Sequence, residues 1–301
     1  MKNFLAIVFA VALALSLCAC TPGVGDSSGS ANADSSSAAE TKNYEYTVMS
    51  FNIKVYNSND KGYTNWSYRS NEIVKLLDTR LPDIICMQEV TKKQFDDLTT
   101  LLNGKYTVVW HKRNDAYNPE GVAVLFTDRF TLLKDTYFWL SETPNVKSKG
   151  WDAAYERICT SVTLLDNGNG KKIDVFSVHL DNKSQPARLN GTKLISKKAL
   201  ECGNPAIIAG DFNATKKIDC YKAVEENFQD CYFATPESLR DKEVPTFNNF
   251  GNAAKAQTPI DFIFSSKVFV TFKSLIITEK TPDGAFYSDH YPILSKLKLS
   301  V

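Results

Sequence analysis

The stretch Ala206-Ile207-Ile208-Ala209-Gly210-Asp211-Phe212-Asn213 decides the reading of this chain. Its short apolar run is bounded like a buried strand rather than a helix. The glycine then permits a tight exit or the close approach of a ligand. Beyond it stand a carboxylate and an amide two residues apart. In such a pair Asp211 can take a proton from a water while Asn213 fixes that water beside an electrophilic centre such as phosphorus. Gly-Asp turns are common, so the segment gains meaning only from its company.

The same rhythm recurs elsewhere. Residues 46–51 alternate like a half-buried strand and stop at Asn52, and Asp83-Ile84-Ile85-Cys86-Met87 runs into Gln88-Glu89. Residues 173–178 alternate and stop at His179. Helical periodicity covers 69–77, 92–102 and 187–200, and further strands are expected at 106–110, 122–126, 159–165, 262–264 and 293–299. No internal repeat is visible. This mixture predicts an α/β protein in which two sheets pack face to face with helices outside. Strand ends carrying Asn, Glu, His and Asp predict a polar rim above an apolar core.

The remaining chemistry is sparse. The chain has three histidines, His111, His179 and His290. His290 lies in Ser288-Asp289-His290-Tyr291-Pro292, and an imidazole beside a carboxylate is held protonated, ready to donate to a phosphoryl oxygen. His111 lacks such company and reads as structural. Glu89 is a single carboxylate at an expected strand end, which suits magnesium, an ion that takes one or two carboxylates plus water and substrate oxygens. Asp261 opens an apolar run and is placed to orient a histidine.

Taken in order, these segments resemble the endonuclease/exonuclease/phosphatase superfamily over almost all of residues 46–299. The resemblance implies a four-layered α/β sandwich with its active site on the shared rim of two sheets. It implies that Asn52 and Glu89 hold a divalent cation, magnesium or manganese, with Asp289 as a further carboxylate. Asp211 and Asn213 would position or activate water. His290, paired with Asp261, and His179 on the other side would stabilise charge on the phosphoryl group. A narrower resemblance, to a bacterial lipoprotein branch, rests on Phe138-Trp139-Leu140-Ser141-Glu142-Thr143-Pro144, on Lys149-Gly150-Trp151-Asp152-Ala153-Ala154 and on Arg157-Ile158-Cys159-Thr160. His179-Leu180-Asp181 followed by Ala187-Arg188 belongs to it too, although Val178 and Leu180 replace its usual threonine and aromatic residue. Arg157 and Arg188 are expected either to clamp phosphate oxygens or to form structural ion pairs. Asp181 and Trp151 join them as expected substrate contacts, core packing being the alternative for Trp151.

The N-terminus points outside the cell. Met1-Lys2-Asn3 is followed by an almost wholly apolar run from Phe4 to Leu17, suited to a signal peptide and short for a membrane span. Leu17-Cys18-Ala19-Cys20 resembles the lipobox of bacterial lipoproteins, which places a lipid on Cys20. The expected organisation is a signal peptide over 1–19, a Ser/Ala-rich tether over 20–43 and one catalytic domain over 44–301. The protein is then anchored to the outer face of a bacterial membrane, as a monomer. The 301 residues hold 35 Lys and Arg against 34 Asp and Glu, and loss of Lys2 with the leader evens the two. That balance disfavours long nucleic acid, whose binding leans on a positive field. A phosphorylated small molecule, a lipid headgroup or an oligonucleotide fits better, and the rival class is a surface binding protein that keeps the fold without catalysis. Of seven cysteines, five lie beyond the export signal without zinc spacing; a Cys220–Cys231 disulfide stays open.

Overall fold

Residues 44–253 and 258–300 are described by the computed structural model. The expected signal peptide, Cys20 and the tether lie outside the described residues. Two six-stranded mixed sheets carry the fold. The first contains β1 (Glu45–Asn52), β2 (Ile84–Thr91), β3 (Thr107–Lys112), β4 (Glu120–Phe126), β11 (Phe269–Ile276) and β12 (Ile293–Leu299), in the order β11-β12-β1-β2-β4-β3. The second contains β5 (Phe130–Trp139), β6 (Ile158–Asp166), β7 (Lys172–His179), β8 (Ala206–Asp211), β9 (Phe228–Asp230) and β10 (Asp261–Ser266), in the order β5-β6-β7-β8-β10-β9.

Period-two alternation explains the layers. In β1, β2 and β8 one set of side chains, Tyr46, Val48, Ile84, Cys86, Ile207 and Ala209, enters a core shared by the two sheets. The alternate set from the first sheet, Met49, Phe51, Ile85 and Met87, packs with Ile73, Leu76 and Leu77 of α1 (Trp66–Arg80) and Leu98 of α2 (Lys92–Leu101). From the second sheet, Ile208, Phe262 and Phe264 pack with Ile195 and Ala199 of α3 (Gln185–Cys202) and Tyr221 of α4 (Asp219–Glu225). Helix, sheet, sheet and helix stack as the four expected layers.

Local chemistry sets the helix ends. The Asn65 side chain accepts from Ser67 N–H to start α1, and Thr91 with Gln94 forms a capping box on α2. Ser184 caps α3, which stops at Gly203 in the left-handed region (φ 76°). The fourth helix is followed by a fifth, α5 (Cys231–Ala234), capped by Asp230.

Two expectations need correcting, and one open question closes. The second strand does not end at Glu89 but runs on to Thr91, with a bulge between Met87 and Val90 where it pairs with β4. Strands β5, β9 and β11 were not anticipated; all three are sheet edges, and Thr131–Thr136 is exposed almost throughout, so no alternation marks β5. Cys220 and Cys231 are both buried free thiols, and burial pushes Cys231 up to about 12.

Candidate active site

The register of the second sheet builds the site. Asp211 ends β8 and is the neighbour of His179 on parallel β7 and of Asp261 on antiparallel β10. Residues in register point to the same side, so three polar residues form one row across three strands. Gly210 makes that row possible. A Cβ there would stand 1.9 Å from the Val178 carbonyl oxygen, so the glycine serves the approach of β7 to β8 rather than of a ligand.

Asp211 is the hub. Its Oδ1 accepts from Asn213 N–H at 2.7 Å, and its Oδ2 accepts from Asn52 Nδ2 at 3.1 Å. His179 Nε2 and His290 Nε2 stand 3.6 and 3.8 Å from the same Oδ2. Burial, followed by the charge of Asp261, pushes the Asp211 carboxyl up to about 7. A carboxylate with that value takes a proton effectively near neutrality.

The two histidines differ. Burial works against the His290 cation, yet the Asp261 carboxylate, 2.9 Å from its Nδ1, outweighs burial and raises it to about 10. Phe247 packs edge-on against this ring at 5.1 Å. His179 is held well below its ordinary value, first by burial and then by the Arg157 and Arg113 cations. Its Nδ1 is buried and has no hydrogen-bond partner among the described residues, with Glu120 Oε1 3.9 Å away.

The first sheet supplies Asn52 at the end of β1 and Glu89 on the bulge of β2. Glu89 has a left-handed backbone (φ 62°), which a residue with a side chain adopts only under constraint. Its Oε1 accepts from Asn52 Nδ2 at 3.1 Å and its Oε2 from Val55 N–H at 2.8 Å. Arg69 braces this corner, fully buried, with its guanidinium donating to the carbonyls of Thr64, Ile53 and Lys54.

These groups open onto a cleft of about 420 Å³ lined by Glu89, Asp211, Asn213, Asp289 and both histidines, a size suited to a small molecule. Arg157 lines it as well. The other wall residues, Arg113, Glu120, Tyr155, Asn182 and Phe247, were not foreseen from the sequence. Arg113 is tied to Glu120 through a bidentate pair (2.9 and 2.6 Å), and its guanidinium lies 5.4 Å from the Tyr155 ring centre.

Asp181, Arg188 and Trp151, expected as substrate contacts, are placed differently. The Asp181 carboxylate accepts from the backbone N–H groups of Ala154, Tyr155, Lys183 and Ser184. Burial raises it, but these four donors outweigh burial and hold it low. Arg188 donates from Nη1 to the Asp181 carbonyl at 2.8 Å, and Trp151 packs against the outer core of the second sheet. All three shape the loops behind the cleft, and none is among the residues that line it.

Oxygen donors dominate the floor, and the ligand atoms of Asp211, Asp261 and His290 lie within 4.8 Å of one another. A protonated His290 has no lone pair to offer and Asp211 stands as the base, so the fit to a hard divalent cation rests on the carboxylates of Glu89 and Asp289 with the Asn52 amide.

A polar rim over two packed sheets, with an Asp/Asp/His cluster buried in it, defines a phosphoesterase or nuclease fold. The chain belongs to the Endonuclease/Exonuclease/phosphatase family, which it matches over residues 49–290. It is similar to an endonuclease/exonuclease/phosphatase family protein of Bacteroides thetaiotaomicron, with a TM-score of 0.79, 30% identity, and coverage of 85% of this chain and 98% of that one. A mannosyl-6-phosphatase of the same organism superposes with a TM-score of 0.77 and 30% identity, over 84% of this chain and 99% of its own. An uncharacterized protein of Acanthamoeba polyphaga mimivirus is 27% identical over 251 residues, 76% of this chain and 91% of the relative.

Proposed function

We propose that this protein is an exported, divalent-metal-dependent phosphoesterase that hydrolyses a small phosphorylated molecule by direct attack of water. The observation that carries the reading is the hub at Asp211: a carboxyl near neutrality with a cationic histidine on one side and a neutral one on the other. Asp211 takes the proton of the attacking water, and Asn213 orients it. Cationic His290, backed by Asp261, meets the charge that develops on the phosphoryl oxygens. Glu89, Asn52 and Asp289 would hold magnesium or manganese, which supplies positive charge for the phosphoryl group when bound. A cleft of about 420 Å³ favours a small organophosphate, a lipid headgroup or a short oligonucleotide end over long nucleic acid. The likeness to a mannosyl-6-phosphatase supports a phosphate ester of a small polar molecule. The Leu17-Cys18-Ala19-Cys20 motif supports export and a lipid anchor at Cys20.

One experiment tests chemistry and location together. The full-length chain, expressed in bacteria, should give membrane fractions that hydrolyse p-nitrophenyl phosphate, lose activity in EDTA and regain it with magnesium or manganese. Cys20→Ala should abolish lipid labelling. Undiminished hydrolysis after exhaustive chelation would sink the metal reading, and unchanged labelling would sink the anchor.

A further inference from the structure

Arg157 stands just before β6 (Ile158–Asp166) and is 5% exposed, yet neither its Nε nor its Nη1 has a hydrogen-bond partner among the described residues. A buried guanidinium with unbonded donors is costly unless something bonds them. The nearest carboxylate does not. Asp181 Oδ2 is 3.7 Å from Nε, beyond hydrogen-bond reach, and the Asp181 oxygens already serve four backbone donors. Arg113, the other cation of this wall, is closed by its pair with Glu120. The Tyr155 ring, 5.7 Å from the Arg157 guanidinium and 5.4 Å from that of Arg113, braces both.

We propose that Arg157 makes the cleft selective for phosphomonoesters, its fork receiving the third non-bridging oxygen, which a diester lacks. The assignment rests on the hydrolase reading above. Mono- and diesters share two non-bridging oxygens, and the histidines on either side of Asp211 line the cleft that these would enter. A monoester adds a third oxygen and, near neutrality, a second negative charge. Arg157 lines the cleft and supplies the charge that this oxygen needs, and turning its guanidinium toward the cleft would give its unbonded donors an acceptor. In a diester the second organic substituent takes that corner. It would cover Arg157 without bonding it, leaving desolvated donors with no acceptor. The wall thus discriminates through what it fails to satisfy in the wrong substrate.

The test compares p-nitrophenyl phosphate with bis-p-nitrophenyl phosphate on wild type, Arg157→Met and Arg157→Lys. Arg157→Met should lower kcat/KM for the monoester about 100-fold and raise that for the diester about 10-fold, because the unsatisfied donors are gone. Arg157→Lys, which keeps the charge without the fork, should cost the monoester about 10-fold. Equal losses on both esters would overturn the assignment. If Arg157→Met does not fold, the lysine variant decides in the same way. The melting temperature in inorganic phosphate supplies a readout without turnover: protection seen in wild type should vanish in Arg157→Met. A wild type that hydrolyses neither ester would sink the hydrolase reading, yet retained phosphate protection in the variants would separately overturn the role of Arg157.

Discussion

His290 and His179 flank a single carboxylate oxygen at 3.8 and 3.6 Å and are equally buried, yet one is cationic and the other neutral. Asp211 is common to both and does not make the difference. The surroundings do: Asp261 contacts His290, whereas His179 faces two arginines, one of which has drawn Glu120 away. Protonation in this cleft is therefore set by neighbours of the histidines, which need not touch the substrate themselves.

The contrast should collapse most completely in Asp261→Asn. His290 should fall toward its ordinary value, and kcat should drop by about 100- to 10,000-fold. Activity carried by a cationic His290 disappears as pH rises through its value, so the alkaline limb of the kcat profile should move to lower pH. An unmoved limb would show that His290 is not the group titrating there.

Stability responds more modestly. The His290 value in the folded state, about 10, lies above the ordinary 6.5 of an unfolded chain. The contribution of the pair is fully present below about pH 6.5 and is lost as pH climbs through about 10. Denaturant melts of wild type should weaken across that window. His290→Asn should flatten the decline and cost roughly 3 kcal/mol near pH 7, because it leaves buried Asp261 unpaired.

The smallest effect concerns the other histidine. Arg113→Met removes one cation from the neighbourhood of His179 and frees Glu120, 3.9 Å from its Nδ1. His179 should then titrate at higher pH in a histidine NMR titration, with kcat/KM altered by less than about 5-fold. A His179 resonance that titrates as in wild type would mean that the arginines do not set its charge.

Which parts of the site could be read from sequence follows from strand direction. Asn52 ends β1, which runs parallel to β2, and His179 and Asp211 end the parallel pair β7 and β8, so each appears as a polar residue after an apolar run. Strands β4, β6 and β10 run the opposite way and bring their first residues to the same rim. Glu120 and Arg157 therefore stand before the apolar runs, where a search for polar strand ends passes over Glu120. The layers were legible because alternation marks strands with two buried faces or one. The edge strands β5 and β9 were not, since β5 is exposed along most of its length and β9 has only three residues, while β11 was passed over although its burial alternates. Asp181 and Trp151 stand in the quoted motifs yet are not among the residues that line the cleft, a placement that residue type alone does not reveal.

The bulge at Glu89 has a consequence for how such a chain drifts. A left-handed backbone costs a residue with a side chain about 1 kcal/mol or more, and glycine adopts it freely. At this position selection for turnover and relief of backbone strain therefore pull in opposite directions. In a descendant released from catalysis, Glu89→Gly would relax that backbone while giving up the hydrogen bonds by which the carboxylate ties Asn52 and Val55 together.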